Sequence, residues 1–317
     1  MSLETPAVAP AADDEQPATP AKASRRTRMG RLTGADRLVV ALFVVVPTFF
    51  VVVLVWVPAL LSVVLSFTNW NGIGDIADIE FIGPKNYEDV TTIYPPFWPA
   101  VQNNVVWLVF LFVLPTVFGI FLAVLLDKEV RGSRFYQTAL YIPVVLSLAL
   151  IGFIWQLIYS PDQGLLNAAL GTDVDWYGDP SVNLWAVLFA NGWKHTGYIM
   201  LLYLAGLKGV DPALREAAAV DGSGEVSTFF RIILPVMRPI NLIVVVVVFI
   251  ESLRAFDLVW IINKGRNGLE LIAALVTSNV IGEASRIGFG SAMSTIMLLL
   301  SSVFIAIYLR VVMKEDR

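Results

Sequence analysis

"LVVALFVVVPTFFVVVLVWVPALLSVVLSF" runs from Leu38 to Phe67 without a charged residue. About 20 residues of helix cross a hydrocarbon core of roughly 30 Å, so this run is long enough to span a membrane. It also far exceeds the apolar segment of a cleaved signal peptide, about 7–15 residues, and is expected to stay as a first span. Pro47 and Pro58 each remove a backbone donor and predict a kink or a strong tilt. Upstream, residues 1–37 are rich in Ala, Pro and acidic residues, then in Arg, with no apolar face to bury. They are expected to form a disordered tail.

Further apolar runs sit at about 101–126, 136–159, 182–207, 240–262 and 288–313. Composition agrees: 57% of residues are hydrophobic, mean hydropathy is +0.72, and only 15% are charged, against about 25% in soluble domains. In lipid every backbone group needs an internal partner, so each run is expected to be helical. The reading is an all-α membrane protein with six transmembrane helices over residues 38–313 and a short end at 314–317. Pro115 and Pro143 are candidate kinks in the second and third spans.

Basic residues orient the spans. Residues 1–37, 127–135, 208–238 and 310–317 together hold 16 Lys and Arg, whereas the other connections hold Lys85, Lys264, Arg266 and Arg286. The positive-inside rule then places both termini and the 208–238 loop in the cytoplasm. The opposite loops are acidic, with Asp75, Asp78, Glu80, Asp162 and Asp173 among their residues. A net charge of −4 gives no footprint for nucleic acid.

The segment between the fourth and fifth spans is polar: "REAAAVDGSGEVSTFFRIILPVMRP", Arg215 to Pro239. Asp211-Pro212 is a helix start, and "ALREAAAV" favours helix. Gly222 and Gly224 turn the chain. "EVSTFFRIIL" forms a second short helix anchored by Phe229, Phe230 and Ile233, and Pro235 and Pro239 break the path before the fifth span. One reading is an interfacial helix that merely connects two spans. The other is a helix-turn-helix whose thin Ala217-Ala218-Ala219 run lets another protein approach closely.

Glu216-Ala217-Ala218, Asp221-Gly222, Ile232, Leu234-Pro235 and Pro239 resemble the EAA loop of ABC importer permeases in residue type and spacing. "FIGPKNYEDV" (81–90), "RGSRFYQTALYIPVV" (131–145), "YSPDQGLLN" (159–167), "FDLVWIINKGRNG" (256–268) and "GFGSAMSTIMLLL" (288–300) resemble the maltose-type carbohydrate permeases of that class. The resemblance covers roughly residues 38–313. It departs at Asn263–Asn267, where that family often carries a T-x-GGP stretch.

The resemblance implies a type I importer permease of a bacterial plasma membrane. It implies that the 208–239 loop is a coupling helix, with Glu216, Ala217, Ala218, Asp221, Gly222, Leu234 and Pro235 as contact or shape residues. Implied partners are an ATP-binding subunit dimer that holds ATP and Mg, a second permease subunit, an extracytoplasmic sugar-binding protein, the lipid bilayer and a di- or oligosaccharide substrate. No cofactor is expected in this chain.

The sequence carries no GxxxxGK[ST] phosphate loop, no cysteine and one histidine, His195. That excludes a P-loop ATPase, thiolate chemistry and a multi-histidine metal site. What remains is polarity inside spans. Lys194, His195 and Thr196 lie in the fourth, and Glu251, Ser252, Arg254 and Asp257 in the fifth. Such groups cost a few kcal/mol at mid-bilayer and should face protein or water. Glu251–Arg254 and Arg254–Asp257 are each three apart, so an ion pair on one helix face is one reading. A polar wall for a sugar is the second, with Trp155, Gln156 and Trp193 adding aromatic faces and an amide. A proton relay through Glu251, Asp257 or His195 is the third. It would make the chain a proton-coupled secondary transporter, a class that often shows internal repeats, and none is evident here.

Overall fold

The computed structural model describes residues 33–128, 131–282 and 285–315. The expected tail therefore lies outside the described residues for positions 1–32, as do positions 316–317 of the C-terminal end. The chain divides into two compact units, Met1–Leu54 and Val55–Arg317.

In the first unit the described residues form α1, Gly34–Val51. It starts earlier than the apolar edge suggests because Thr33 and Asp36 close a capping box, Thr33 Oγ1 accepting from the Asp36 N–H at 3.2 Å. Val52–Trp56 follow as a π-helical turn just ahead of Pro58, whose missing donor leaves the Leu54 carbonyl without its usual partner. By length and composition Ala35–Leu65 can cross a membrane.

The second unit is helical among the described residues, apart from one isolated antiparallel bridge between Thr68 and Phe81. Its helices are α2 (Val57–Leu65), α3 (Lys85–Thr92), α4 (Phe97–Asp127), α5 (Ser133–Val145), α6 (Leu148–Ile158), α7 (Leu165–Leu170) and α8 (Asn183–Lys208). Then come α9 (Pro212–Val220), α10 (Glu225–Val236), α11 (Arg238–Leu253), α12 (Asp257–Asn263), α13 (Ile272–Val280) and α14 (Ile287–Glu315).

The sequence predicts six spans with kinks at its prolines, and the geometry differs in where the bends fall. Among the described residues, three helices are long and apolar enough to cross a membrane, rising to five if each bent pair is one span. The bent pairs are α5 with α6, at 100°, and α10 with the Arg238–Asn263 segment, at 76°. The remaining span, α8, has 26 residues, but Asn183, Lys194 and His195 dilute its apolar character.

The third span does not bend at Pro143, which sits inside α5. It breaks at Leu146–Ser147, where Leu146 is extended and the Ser147 hydroxyl accepts from the Leu150 N–H at 3.2 Å to start α6. The fifth span is also interrupted, between Leu253 and Asp257.

The core forms where α4 packs against α8, with Trp107, Leu111, Val187, Leu188, Ile199 and Met200 buried. Gly119 sets how close the two helices come, since a Cβ there would meet the Ile199 side chain at 2.9 Å and the Thr196 carbonyl at 3.0 Å. Pro115 leaves the Leu111 carbonyl without its helical donor, and the Thr116 hydroxyl fills the gap at 2.7 Å. The second span therefore continues through its proline as one helix. The small residues of the sixth span pack within the bundle, with Ala292 fully buried and Ser291 and Thr295 nearly so.

Gly119→Leu is expected to cost on the order of 1–3 kcal/mol by forcing α4 and α8 apart. A lower thermal midpoint of the detergent-solubilised chain, with a smaller drop for Gly119→Ala, checks this. An unchanged midpoint for the leucine variant would contradict the close approach.

Candidate functional site: the coupling loop and the broken fifth span

The polar loop folds as the sequence implies, and its ends are defined. Asp211 caps α9, its carboxylate accepting from the Ala213 N–H at 2.9 Å, with Pro212 in the first turn. At the other end the Gly222 N–H donates to the Ala219 carbonyl at 3.1 Å, and the Ser223 N–H to the Ala218 carbonyl at 2.9 Å. This is a Schellman ending, and it needs the left-handed φ of +74° that Gly222 adopts. Nothing lies within 4 Å of a Cβ built on Gly222. The residue is required for its backbone conformation, and the space beside it is open.

Burial divides α9 into two faces. Ala218 is 3% exposed, and Leu214, one turn earlier, packs on the core. Glu216, Ala217, Asp221 and Gly222 are exposed. Val220 is 87% exposed and Val226 72%, two apolar side chains on a polar loop left bare by the described residues. Glu216 and Asp221 form no ion pair among the described residues. Of the expected anchors, Ile233 is buried and Phe229 packs on the core, but Phe230 is 61% exposed.

Leu234 and Pro235 shape the elbow into the fifth span. Asn241 Nδ2 donates to the Leu234 carbonyl at 2.8 Å, and its Oδ1 accepts from the Tyr203 hydroxyl at 2.7 Å. One carboxamide thus ties the bend to α8.

Two residues at the end of α4 hold the loop in place. Asp127 faces Lys208 Nζ at 3.2 Å and Arg215 Nη2 at 2.8 Å. Lys128 Nζ meets Glu225 Oε2 at 2.5 Å. The two contacts differ in weight. The Lys128–Glu225 pair is exposed on both sides, and such pairs contribute about 0–1 kcal/mol. The Asp127 side chain is 7% exposed, and a buried charge stripped of its partner is strongly destabilising. Sequence alone assigns Asp127 no role. An acidic residue closing an apolar helix was the available signal.

The candidate sugar residues spread over α6, α8 and the broken fifth span. Trp155 and Trp193 do come together, ring centroids 6.0 Å apart and nearly perpendicular. Trp193 is 41% exposed, and the buried Trp155 Nε1 has no protein partner. Gln156 spends its amide nitrogen on the Ile261 carbonyl at 2.7 Å, capping α12. Thr196 is half-buried.

Two of these candidates are buried. Ser252 is 1% exposed and donates its hydroxyl to the Phe249 carbonyl of its own helix at 2.8 Å, so it faces no open space. His195 is 6% exposed.

The expected ion pairs on one helix face are also absent. α11 ends at Leu253, which puts Asp257 on the next helix, and no ion pair joins Glu251, Arg254 and Asp257 among the described residues. Arg254 is exposed at the break, while Glu251 and Asp257 are half-buried. The break is held by Asn104, whose Nδ2 donates to the Ser252 carbonyl at 2.9 Å and whose Oδ1 accepts from the Ile272 N–H at 3.0 Å.

The sequence that departs from the expected pattern, Asn263–Asn267, is an ordered turn. Asn263 Oδ1 accepts from the Gly265 N–H at 3.1 Å, and its Nδ2 donates to the carbonyls of Tyr177 and Arg266. A separate cavity of about 560 Å³ is lined by Trp70, Lys85, Asp89, Tyr94 and Arg286 among others, and none of the candidate sugar residues reaches it.

Residues 116–314 match the profile of the binding-protein-dependent transport system inner membrane component family. The chain belongs to that family. It is 30% identical over 279 residues, 85% of this chain and 94% of the relative, to a probable ABC transporter permease protein of Pyrococcus horikoshii. It is 32% identical over 256 residues, 77% of this chain and 78% of the relative, to the xylose/arabinose import permease protein XacH of Haloferax volcanii. Its fold matches a chain in the crystal structure of a bacterial ABC transporter involved in the import of the acidic polysaccharide alginate. The TM-score there is 0.75 at 19% identity, covering 89% of this chain and 97% of the other.

The chain is thus a permease component of a binding-protein-dependent ABC importer, a membrane protein, and not a proton-coupled secondary transporter.

Gly222→Ala places a Cβ in open space but strains the left-handed turn, and is expected to cost about 1 kcal/mol. Chemical unfolding of the purified chain measures it. A loss of more than about 3 kcal/mol would show that the site is filled by the chain's own atoms.

Proposed function

We propose that this chain forms one half of the sugar pathway in an ATP-driven importer and receives the power stroke through its 208–239 loop. The observation that carries the reading is the outward face of α9. Glu216, Ala217, Val220, Asp221 and Gly222 are exposed, while Ala218 is buried and both ends of the helix are capped. A rigid, small-residue knob with two uncovered valines suits a groove on another protein.

That protein is the ATP-binding subunit, which holds ATP and Mg; hydrolysis belongs to it and not to this chain. Closure of its dimer favours one of two packings of the permease and so moves the loop. The loop faces the cytoplasm together with both termini, in keeping with the distribution of Lys and Arg.

The substrate is a sugar, as the named relative from Haloferax volcanii suggests. Trp155 and Trp193 offer aromatic faces, and Gln156, Thr196, Glu251, Arg254 and Asp257 are the polar candidates for the same site. A second permease subunit closes the other side of the pathway, and an extracytoplasmic binding protein delivers the sugar.

Purification of the tagged chain from its native membrane is expected to bring an ATP-binding subunit with ATPase activity. Glu216→Arg and Gly222→Asp are each expected to lose that subunit or its stimulation while the chain stays inserted. Normal recovery and normal stimulation in both variants would refute the loop's role.

A further inference from the structure

Asp127 is the last residue of α4. The aligned peptide dipoles leave about half a negative charge at that end of a helix, so a carboxylate is repelled there. This one is also 7% exposed. A buried carboxylate in that position persists only with cations opposite. Lys208 supplies one from the last turn of α8 and Arg215 the other from α9. Nothing in the local fold of α9 requires this contact, because α9 already has its own cap and its own Schellman ending.

We infer that Asp127 is a positioning residue for energy coupling, and that α4 is the rod carrying displacement of the 208–239 loop to the break in the fifth span. The inference rests on the coupling role proposed above. Its other support lies at the far end of the same helix. Asn104, 6% exposed, holds the Ser252 carbonyl at the end of α11 and the Ile272 N–H at the start of α13. Between Asn104 and Asp127 lie about 35 Å of helix at 1.5 Å per residue. Pro115 would make that rod compliant, but the Thr116 hydroxyl restores the missing bond to Leu111. Asn103 adds a second grip at the far end, donating to the carbonyls of Gly268 and Glu270 at 2.9 and 2.8 Å. The loop is thus pinned at one end of α4 and the broken fifth span at the other.

The test uses the full complex with its partner subunits in nanodiscs. This chain has no cysteine, so Arg254→Cys gives a single reporter at the break. Its maleimide labelling rate is read on this chain with and without trapping by MgATP and orthovanadate. Trapping is expected to change the rate by about tenfold in the otherwise native chain. Asp127→Asn and Thr116→Val are each expected to reduce the change to about twofold or less, with trapped nucleotide undiminished. Asp127→Glu, which keeps the charge, should restore it in large part. A role confined to holding the fold predicts no effect of Thr116→Val on the response, so that variant decides if Asp127→Asn fails to assemble. A full response in Asp127→Asn, or in Thr116→Val, overturns the rod. A reporter that ignores trapping even in the otherwise native chain overturns the coupling reading itself.

Discussion

A carbonyl freed inside a bilayer has no water to bond, and this constraint shapes several irregularities among the described residues. At these places a side chain donates to a backbone carbonyl near a proline or a helix end. Thr116 serves Leu111 beside Pro115, and Asn241 serves Leu234 at the elbow. Asn104 serves Ser252 where the fifth span stops, and Gln156 serves Ile261 where α12 ends. The Tyr159 hydroxyl serves Ala186 from the end of the third span. These donors lie on different helices from their acceptors in most cases, so satisfying the backbone also fixes how the spans are arranged. Polar residues that look like candidate sugar ligands in sequence are partly consumed by this task.

The same constraint separates what the sequence makes legible from what it does not. The apolar runs reveal the helices because hydropathy and length are local properties. The 208–239 loop is legible for a similar reason: Asp211-Pro212, Gly222 and Pro235 encode a start, a turn and a break with backbone chemistry alone. The breaks at Leu146–Ser147 and at 254–256 are not legible. The second is held by a residue far away in sequence, Asn104 for Ser252, and one residue's spacing carries no sign of a partner more than a hundred positions distant. Pro143 looked like the bend and is not, while an ordinary Leu-Ser pair is. Ser252 and His195 read in sequence only as polar residues within spans, and their burial depends on packing that spacing does not report.

Two kinds of charge act at the loop end of the bundle. Exposed pairs such as Lys128–Glu225 contribute little, since water screens them and two long side chains must be ordered. Asp127 differs because it is buried at the unfavourable end of its helix and answered by cations from two separate elements. Its placement makes sense if the loop must move with the second span rather than flex on its own. The loop is then neither a tether nor an interfacial anchor. It is tied to the membrane helices through Asp127 and Asn241, with an exposed face on α9.

The central claim is that this bare face docks on an ATP-binding subunit. Val220 lies in its middle and is 87% exposed. A photo-crosslinking residue at position 220 in the native membrane, followed by identification of the adduct, tests the claim most directly. The account predicts a single dominant adduct with an ATP-binding protein, responsive to nucleotide. Adducts with lipid alone, or none that respond to nucleotide, would contradict it and make the loop a surface connection between two spans.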